Sequence, residues 1–401
     1  IASDIHKKYN GEYEKIYSDV VCFIEELTRK RLLAPLIDQD KSSSQTVCTY
    51  PLRGLWLNVT NNCNLRCIHC HKSAGASIGE ELSTSDICNL VNEFSDGGGE
   101  LLTISGGEPF LRDDILDILN YVKNSKVIHT IVITNGTLLN DDIYKFLENF
   151  GDKISVQVSL DGATAAVNDK IRGKGTFEKA IGCIKELRKR NVHVVMRMTV
   201  MKANNHEIDD YLKLSNELGC VADFGIIQEK GRATGNCDVL LNEEEMVMTL
   251  KKIYLVDRKI SCVSHVENPH QGNSKPLMEH DNAPISCGVG SFSLSVSPAG
   301  DVYPCDALEC DDMKIGNIHI SSISELWKNS PLLKKLRERE IKNVEPCNVC
   351  EFIYFCRGGC LGDTYMCYHS IDTRHPCCNI RKIYYEWFFY DHLPETLRKK
   401  R

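Results

Sequence analysis

The chain has 401 residues, 42% hydrophobic and 26% charged, a globular composition at a length that exceeds what one core usually serves, so two or three domains are expected. A net charge of −7 argues against a general polyanion-binding role, and so against nucleic acid as a substrate. No run of 18 apolar residues is present to span a membrane.

The chain opens Ile-Ala-Ser with neither Met nor an apolar signal segment, which reads as the trimmed start of a cytoplasmic protein. Ile16, Val20, Phe23, Ile24 and Leu27 recur at helical spacing, so residues 1–36 are expected to be a helical piece of a separate small domain. Residues 37–50, with Asp-Gln-Asp-Lys-Ser-Ser-Ser-Gln, form a polar linker. From 51 to 240 short apolar runs alternate with longer amphipathic ones. Strands are expected over 55–59, 101–104, 130–133, 154–159, 192–200 and 221–227, and helices over 85–94, 113–124, 141–150, 177–190 and 205–218. This rhythm is that of an α/β fold with a parallel sheet. Six β-α cycles fit a partial (β/α)6 TIM-like barrel, in which chemistry gathers at the C-terminal ends of the strands. Cys63, Gly106, Asn135, Asp161 and Arg197 all fall at or near such ends.

Residues 241–286 bring a helix over 242–256 and a Pro-, His- and Asn-rich stretch, 266–282, expected to be a mobile loop over the active site. Residues 287–378 hold most of the remaining Cys, and a C-terminal helix over 379–390 with a basic tail closes the chain at 401. Many of the 20 Cys stand in Cys-x2-Cys and Cys-x3-Cys steps, which suit metal in a reducing, anaerobic compartment better than cross-links. Cys22, Cys48, Cys88, Cys183, Cys220 and Cys237 are scattered singly and read as small buried hydrophobes.

The run Thr60-Asn-Asn-Cys-Asn-Leu-Arg-Cys-Ile-His-Cys70 puts Cys63, Cys67 and Cys70 within eight residues. Three thiolates on one loop can hold three irons of a [4Fe–4S] cube and leave the fourth open. Cys-x2-Cys is also a zinc half-site, but zinc gives no reason for Gly106-Gly-Glu-Pro109 one cycle later. The triplet and this turn resemble the radical S-adenosylmethionine (SAM) superfamily, with His69 where that family usually has an aromatic residue. The resemblance implies a [4Fe–4S] cluster on Cys63, Cys67 and Cys70 that binds SAM through its open iron. It further implies that Gly106, Gly107 and Glu108 meet the methionine amino group, and that Asn135, Ser159 and Asp161 lie along the ribose or methionyl part. For these strand ends helix N-capping is the competing reading. Arg197, the lone charge in Val194-Val-Met-Arg-Met-Thr-Val200, needs a carboxylate partner, that of SAM or of a core acid. Asn204 matches a family position near SAM, and Arg172 one that fixes a loop.

Cys287-x12-Gly300-x4-Cys305, then Cys347-x2-Cys350-x5-Cys356-x3-Cys360, then Cys377 or Cys378, resembles the seven-cysteine SPASM domain. That resemblance implies two auxiliary [4Fe–4S] clusters, three in all. Cys287, Cys305 and Cys360 would serve the first auxiliary cluster, and Cys347, Cys350, Cys356 and the terminal Cys the second. Spacing does not separate Cys377 from Cys378. For the fourth ligand of the first, Cys310 is favoured over Cys262 or an open iron awaiting a substrate thiolate. Asp306 follows Cys305 directly, and in the anaerobic sulfatase-maturating enzymes, which this arrangement also resembles, an Asp after this Cys acts as base; an acceptor for turn amides is the other reading.

Residues 3–33 resemble the helical half of a domain that recognises the leader of ribosomally made precursor peptides. Together the resemblances imply an oxidoreductase that draws electrons from an external flavodoxin- or ferredoxin-type donor. It would cleave SAM to a 5′-deoxyadenosyl radical and install a thioether or carbon–carbon crosslink in a leader-bearing precursor peptide. The alternatives are a formylglycine-forming sulfatase maturase and a radical SAM oxidase of a tetrapyrrole pathway. An iron–sulfur electron carrier would need the clusters but neither the 106–109 turn nor Arg197.

Overall fold

The computed structural model describes residues 12–15, 17, 18, 21, 50–76, 79–256 and 288–388. Most of the expected leader-recognition piece, the linker up to 49, Cys262, the 266–282 loop, Cys287 and the basic tail lie outside the described residues. The chain separates into two compact units, residues 1–49 with 268–284 and residues 50–267 with 285–401. In the first, helical residues are described at 13–15, 17, 18 and 21, with Tyr13 and Tyr17 stacked 6.2 Å apart between ring centroids.

The second unit is built on a parallel sheet. β1 (Gly54–Asn58), β2 (Leu101–Ser105), β3 (His129–Thr134), β4 (Ile154–Ser159), β5 (His193–Val200) and β6 (Val221–Ile226) each pair with the next. Between them run α1 (Thr84–Asp96), α2 (Ile115–Asn124), α3 (Asp141–Phe150), α4 (Ala165–Arg172), α5 (Thr176–Lys189) and α6 (Ile208–Glu217), followed by α7 (Glu243–Val256). The strands are legible because a sheet covered by helices needs apolar residues on its outer face: on β5, Val194, Met196, Met198 and Val200 are buried while the alternate residues stay half-buried. Helix starts follow local capping. Ser83 and Asp86 form a reciprocal capping box on α1, and Asn140 Oδ1 accepts from Ile143 N at 3.0 Å on α3. The helix α4 was not anticipated; it spans eight residues and buries only Asn168 and Ile171, too few positions to mark a helical period in the sequence.

The Cys-rich region adds β7 (Ser293–Val296), β8 (Asp301–Tyr303) and β9 (Gly316–Asn317). β7 pairs parallel with β1, and β8 and β9 follow antiparallel, so one nine-stranded sheet runs β6-β5-β4-β3-β2-β1-β7-β8-β9. Then come α8 (Ile323–Asn329), α9 (Pro331–Glu338), a short helical turn Ile353–Cys356, α10 (Leu361–Tyr368) and α11 (Cys378–Glu386). Among the described residues no helix is long and apolar enough to cross a membrane.

Candidate active site

Beyond β1 the chain enters the loop that carries the first three Cys. Gly107 N donates to Thr60 O at 2.7 Å and Glu108 N to Asn62 O at 2.8 Å, so the β1–β2 pairing continues into this loop. Only glycines allow that approach. A Cβ on Gly106, whose φ is 130°, would lie 2.3 Å from Thr60 O, and one on Gly107 would lie 2.1 Å from Asn62 O. The loop then closes on itself, with Cys63 N donating to Gly75 O at 2.8 Å and Gly75 N to Asn61 O at 3.0 Å.

Beneath the loop lies a buried charge cluster. Asp161 is fully buried; its Oδ1 accepts from Thr199 N at 2.8 Å, and its Oδ2 lies 2.6 Å from Arg172 Nε and 3.2 Å from His69 Nε2. Arg172 Nη1 in turn stands 3.9 Å from the Cys67 sulfur. Burial pushes the Cys67 thiol up, and Arg172 opposes that rise. Burial also pulls His69 down to about 4, so its ring is neutral. Asp161 therefore faces inward, under the loop, because two cationic or donor groups hold it there. Glu108 is likewise turned into the protein, accepting from Thr134 Oγ1 at 2.8 Å, Asn135 N at 2.7 Å and Phe110 N at 3.2 Å. Burial raises its pKa to about 7. Asn135 Nδ2 reaches Asn64 Oδ1 at 2.9 Å, tying the β3 end to the Cys loop. Asn204 is wholly buried and donates to Asp161 O and Thr199 O, both at 2.9 Å.

Arg197 pairs with Asp223, which faces it in register on β6. A protein carboxylate, one of its two expected partners, thus meets it. Ser159, opposite Arg197 on β4, is half-buried, as is Arg197 itself, so these two side chains remain toward the barrel interior.

A second polar network joins the Cys loop to the Cys-rich region. Lys72 Nζ lies 2.6 Å from Asp306 Oδ1 and 2.5 Å from Glu309 Oε2. His71 Nε2 is 3.0 Å from Asp306 Oδ2, and Asn58 Nδ2 donates to Asp306 Oδ1 at 3.0 Å and to Glu309 Oε1 at 2.6 Å. Burial alone would raise the Asp306 pKa, but Lys72 and His71 outweigh it and hold the carboxyl well below the usual carboxylate range. The segment after β6 clamps the same junction. Gly231, at φ +60°, lies over the Cys70 and His71 carbonyls; Arg232 donates to Cys67 O at 2.7 Å and Ala74 O at 2.9 Å; and Lys230 Nζ donates to Ala307 O at 3.1 Å. Lys72, Glu309, Lys230 and Arg232 were missed in the sequence. The only hint was two acids on the turn between Cys305 and Cys310, facing a Lys two residues past Cys70.

The later Cys fall into two sets. Cys347, Cys350, Cys356 and Cys378 line one hollow together with Ile341, Phe352 and Arg381. Burial raises the Cys347 thiol, and Cys378, Cys356 and Cys350 add to that rise. Cys377 does not line that hollow, and the charges acting on its thiol include Asp363, Arg381 and Cys367. Its amide donates to His375 Nδ1 at 3.0 Å. Cys305 and Cys310 both stand near Lys230, and a Cβ on Gly362 would touch both Ala307 and the Cys360 sulfur, so Cys360 comes to the same turn.

Among the described residues no three Cys, His, Asp or Glu are grouped to hold a single metal ion. A cluster takes one thiolate per iron and needs its donors spread around a cage. The donor chemistry fits that demand, because Leu65 N donates to the Cys63 sulfur at 3.5 Å and Arg172 stands beside Cys67, the contacts that stabilise ligating thiolates.

Residues 57–215 match the radical SAM superfamily model and residues 287–351 that of an iron–sulfur cluster-binding domain, SPASM. The AdoMet-dependent heme synthase of Methanosarcina barkeri is 30% identical over 339 residues, covering 80% of this chain and 95% of the relative. Mycofactocin maturase MftC of Mycobacterium ulcerans is 29% identical, covering 80% and 86%. Among solved structures, Streptococcus suis SuiB bound to S-adenosylmethionine superposes with a TM-score of 0.66 over 92% of this chain and 90% of its own, at 19% identity, which shows a shared fold. The chain belongs to the radical SAM superfamily and carries its SPASM domain. It is an enzyme of oxidoreductase-type radical chemistry, with SAM and iron–sulfur clusters as cofactors.

Proposed function

We propose that this enzyme installs a thioether or carbon–carbon crosslink in a ribosomally made precursor peptide. The observation that carries the reading is the Lys72–Asp306–Glu309 junction, which sets an acid beside Cys305 directly against the loop of Cys63, Cys67 and Cys70. A crosslink removes two hydrogens from its substrate, one as an atom and one as a proton with an electron. That needs a radical source and a second centre at one mouth. Likeness to MftC, a maturase, and the fold shared with SuiB, which was solved with the precursor peptide SuiA, support a peptide as substrate.

When bound on Cys63, Cys67 and Cys70, the cluster and SAM supply a 5′-deoxyadenosyl radical that takes a hydrogen atom from carbon. Gly106 and Gly107 shape the edge of that site, and Ser159 and Arg197 offer the accessible polar groups along it. Glu108, Asn135 and Asp161 act one step back by holding the loops in place. Asp306 stays ionised beside Lys72, and His71 Nε2, 3.0 Å from Asp306 Oδ2 and 43% exposed, gives the substrate proton a way out to solvent. Cys305, Cys310 and Cys360, with Cys287, would hold the first auxiliary cluster, and Cys347, Cys350, Cys356 and Cys378 the second. Residues 1–36 would bind the leader, and a flavodoxin- or ferredoxin-type protein would supply electrons.

A second reading, oxidation of a tetrapyrrole, is favoured by the 30% identity to the heme synthase. The test is anaerobic reconstitution, which should give about 12 irons per chain, followed by reaction with the precursor peptide with and without its leader. The leader-bearing peptide should lose two mass units per turnover without gaining an aldehyde, and far faster than the bare core, because leader binding makes the encounter effectively intramolecular. An aldehyde on a leaderless peptide, or turnover of an iron tetrapyrrole alone, would overturn the proposal.

A further inference from the structure

The segment from Gln228 to Ala233 belongs to neither Cys set, yet it touches both. Its Gly231 and Arg232 lie on the carbonyls of Cys70, Cys67 and Ala74, while Lys230 points the other way. Lys230 Nζ donates to Ala307 O at 3.1 Å and approaches Asp306 O at 3.5 Å, on the turn that begins at Cys305. The side chain is half-buried and close enough to the thiols of Cys305 and Cys310 to influence both. The neighbouring Lys72 is neutralised by two carboxylates. Among the described residues Lys230 makes no such ion pair; Asp306 and Glu309 attract its charge from further off, and the Cys305 sulfur lies within its reach as well.

We infer that Lys230 is a positioning residue that raises the reduction potential of the auxiliary cluster held through Cys305, an inference that rests on the cluster assignment proposed above. Reduction adds one negative charge at that place, and a fixed ammonium beside the thiolates favours the reduced form. The electron given up by the substrate radical on bond formation then has a nearby acceptor, reduced by one electron, while the proton leaves by way of His71. Lys230 thus acts on the auxiliary centre from a strap whose next two residues, Gly231 and Arg232, hold the SAM-binding loop.

The test is an EPR-monitored redox titration of the reconstituted full chain, with added SAM marking the signal of the SAM-binding cluster. Lys230→Gln keeps a donor for the Ala307 carbonyl but removes the charge. It should shift the auxiliary midpoint downward, whereas Lys230→Arg should leave it near the wild-type value and neither should move the SAM-responsive signal. An unmoved auxiliary midpoint in Lys230→Gln, or an equal shift of every signal, would overturn the inference. Loss of auxiliary iron in Lys230→Gln but not in Lys230→Arg would overturn it too, in favour of a purely structural role. A wild-type protein with iron for one cluster only would instead remove the cluster assignment itself, a result that cannot be confused with an auxiliary signal that stays put.

Discussion

A buried aspartate survives only among donors, and Asp161 has Arg172, Thr199 N and His69 around it. The neutral His69 gives this cluster a pH signature. Its pKa drops from 6.5 to about 4 through burial, so between those values the unfolded chain binds a proton that the folded one excludes. Stability therefore rises with pH in that window: it is fully present above about pH 6.5 and lost as pH falls toward 4. His69→Gln keeps a donor toward Asp161 and should flatten that slope by up to one proton, about 1.4 kcal/mol per pH unit, in denaturant titrations of the two proteins. Parallel slopes would show that His69 is protonated in the fold. Among the late Cys, Cys378→Ala should cost up to about four irons per chain and Cys377→Ala none, measured after anaerobic reconstitution, because only Cys378 shares the hollow of Cys347, Cys350 and Cys356. Adjacent residues look alike in a sequence; which of them points inward is set by α11, whose first residue is Cys378 and whose N-cap is Cys377. Arg197 was similarly ambiguous, since Asp223 lies 26 residues away and becomes its neighbour only through the β5–β6 register.

At the level of elements, the six strands and the longer helices followed from apolar periodicity alone, with α3 found at its observed bounds. The strap after β6 had no such signal, because a 3-10 turn of three residues, Gly231–Ala233, carries no period. Its glycine is the check on its importance. A Cβ on Gly231 would lie 2.4 Å from Cys70 O and 2.5 Å from His71 O, both fixed backbone atoms, at a φ of +60°. Gly235 has a similar φ of +68° but open space around it. Gly231→Ala should therefore cost about 2–4 kcal/mol and Gly235→Ala only about 1 kcal/mol. Chemical denaturation measures the difference, and SAM cleavage should fall in the first variant alone. Equal losses would mean that backbone strain, and not contact with the Cys loop, is what Gly231 relieves.

Across the whole molecule, the α/β rhythm and the two Cys patterns were legible, but their fusion into one sheet was not. β7, β8 and β9 span four, three and two residues, too short for alternation to stand out from chance. The polar junction was hidden for a related reason: Asn58 meets Glu309 across 251 positions and Lys72 meets it across 237, distances that only the closed sheet brings together. β1 is the shared member. It gives one edge to β2 and the other to β7, in the register Gly54 to Ser293, and ends in the Asn58 that binds both acids. The two halves are thus not interchangeable cassettes. A hybrid that took its Cys-rich half from another superfamily member would inherit a mismatch unless the donor also carried a strand of the same register, a partner such as Ser295 for Glu309, and acids spaced to receive Lys72. Recombination across this boundary is constrained by a handful of contacts on a single five-residue strand and the loop it feeds, so lineages that exchange chemistry here must exchange that strand along with it.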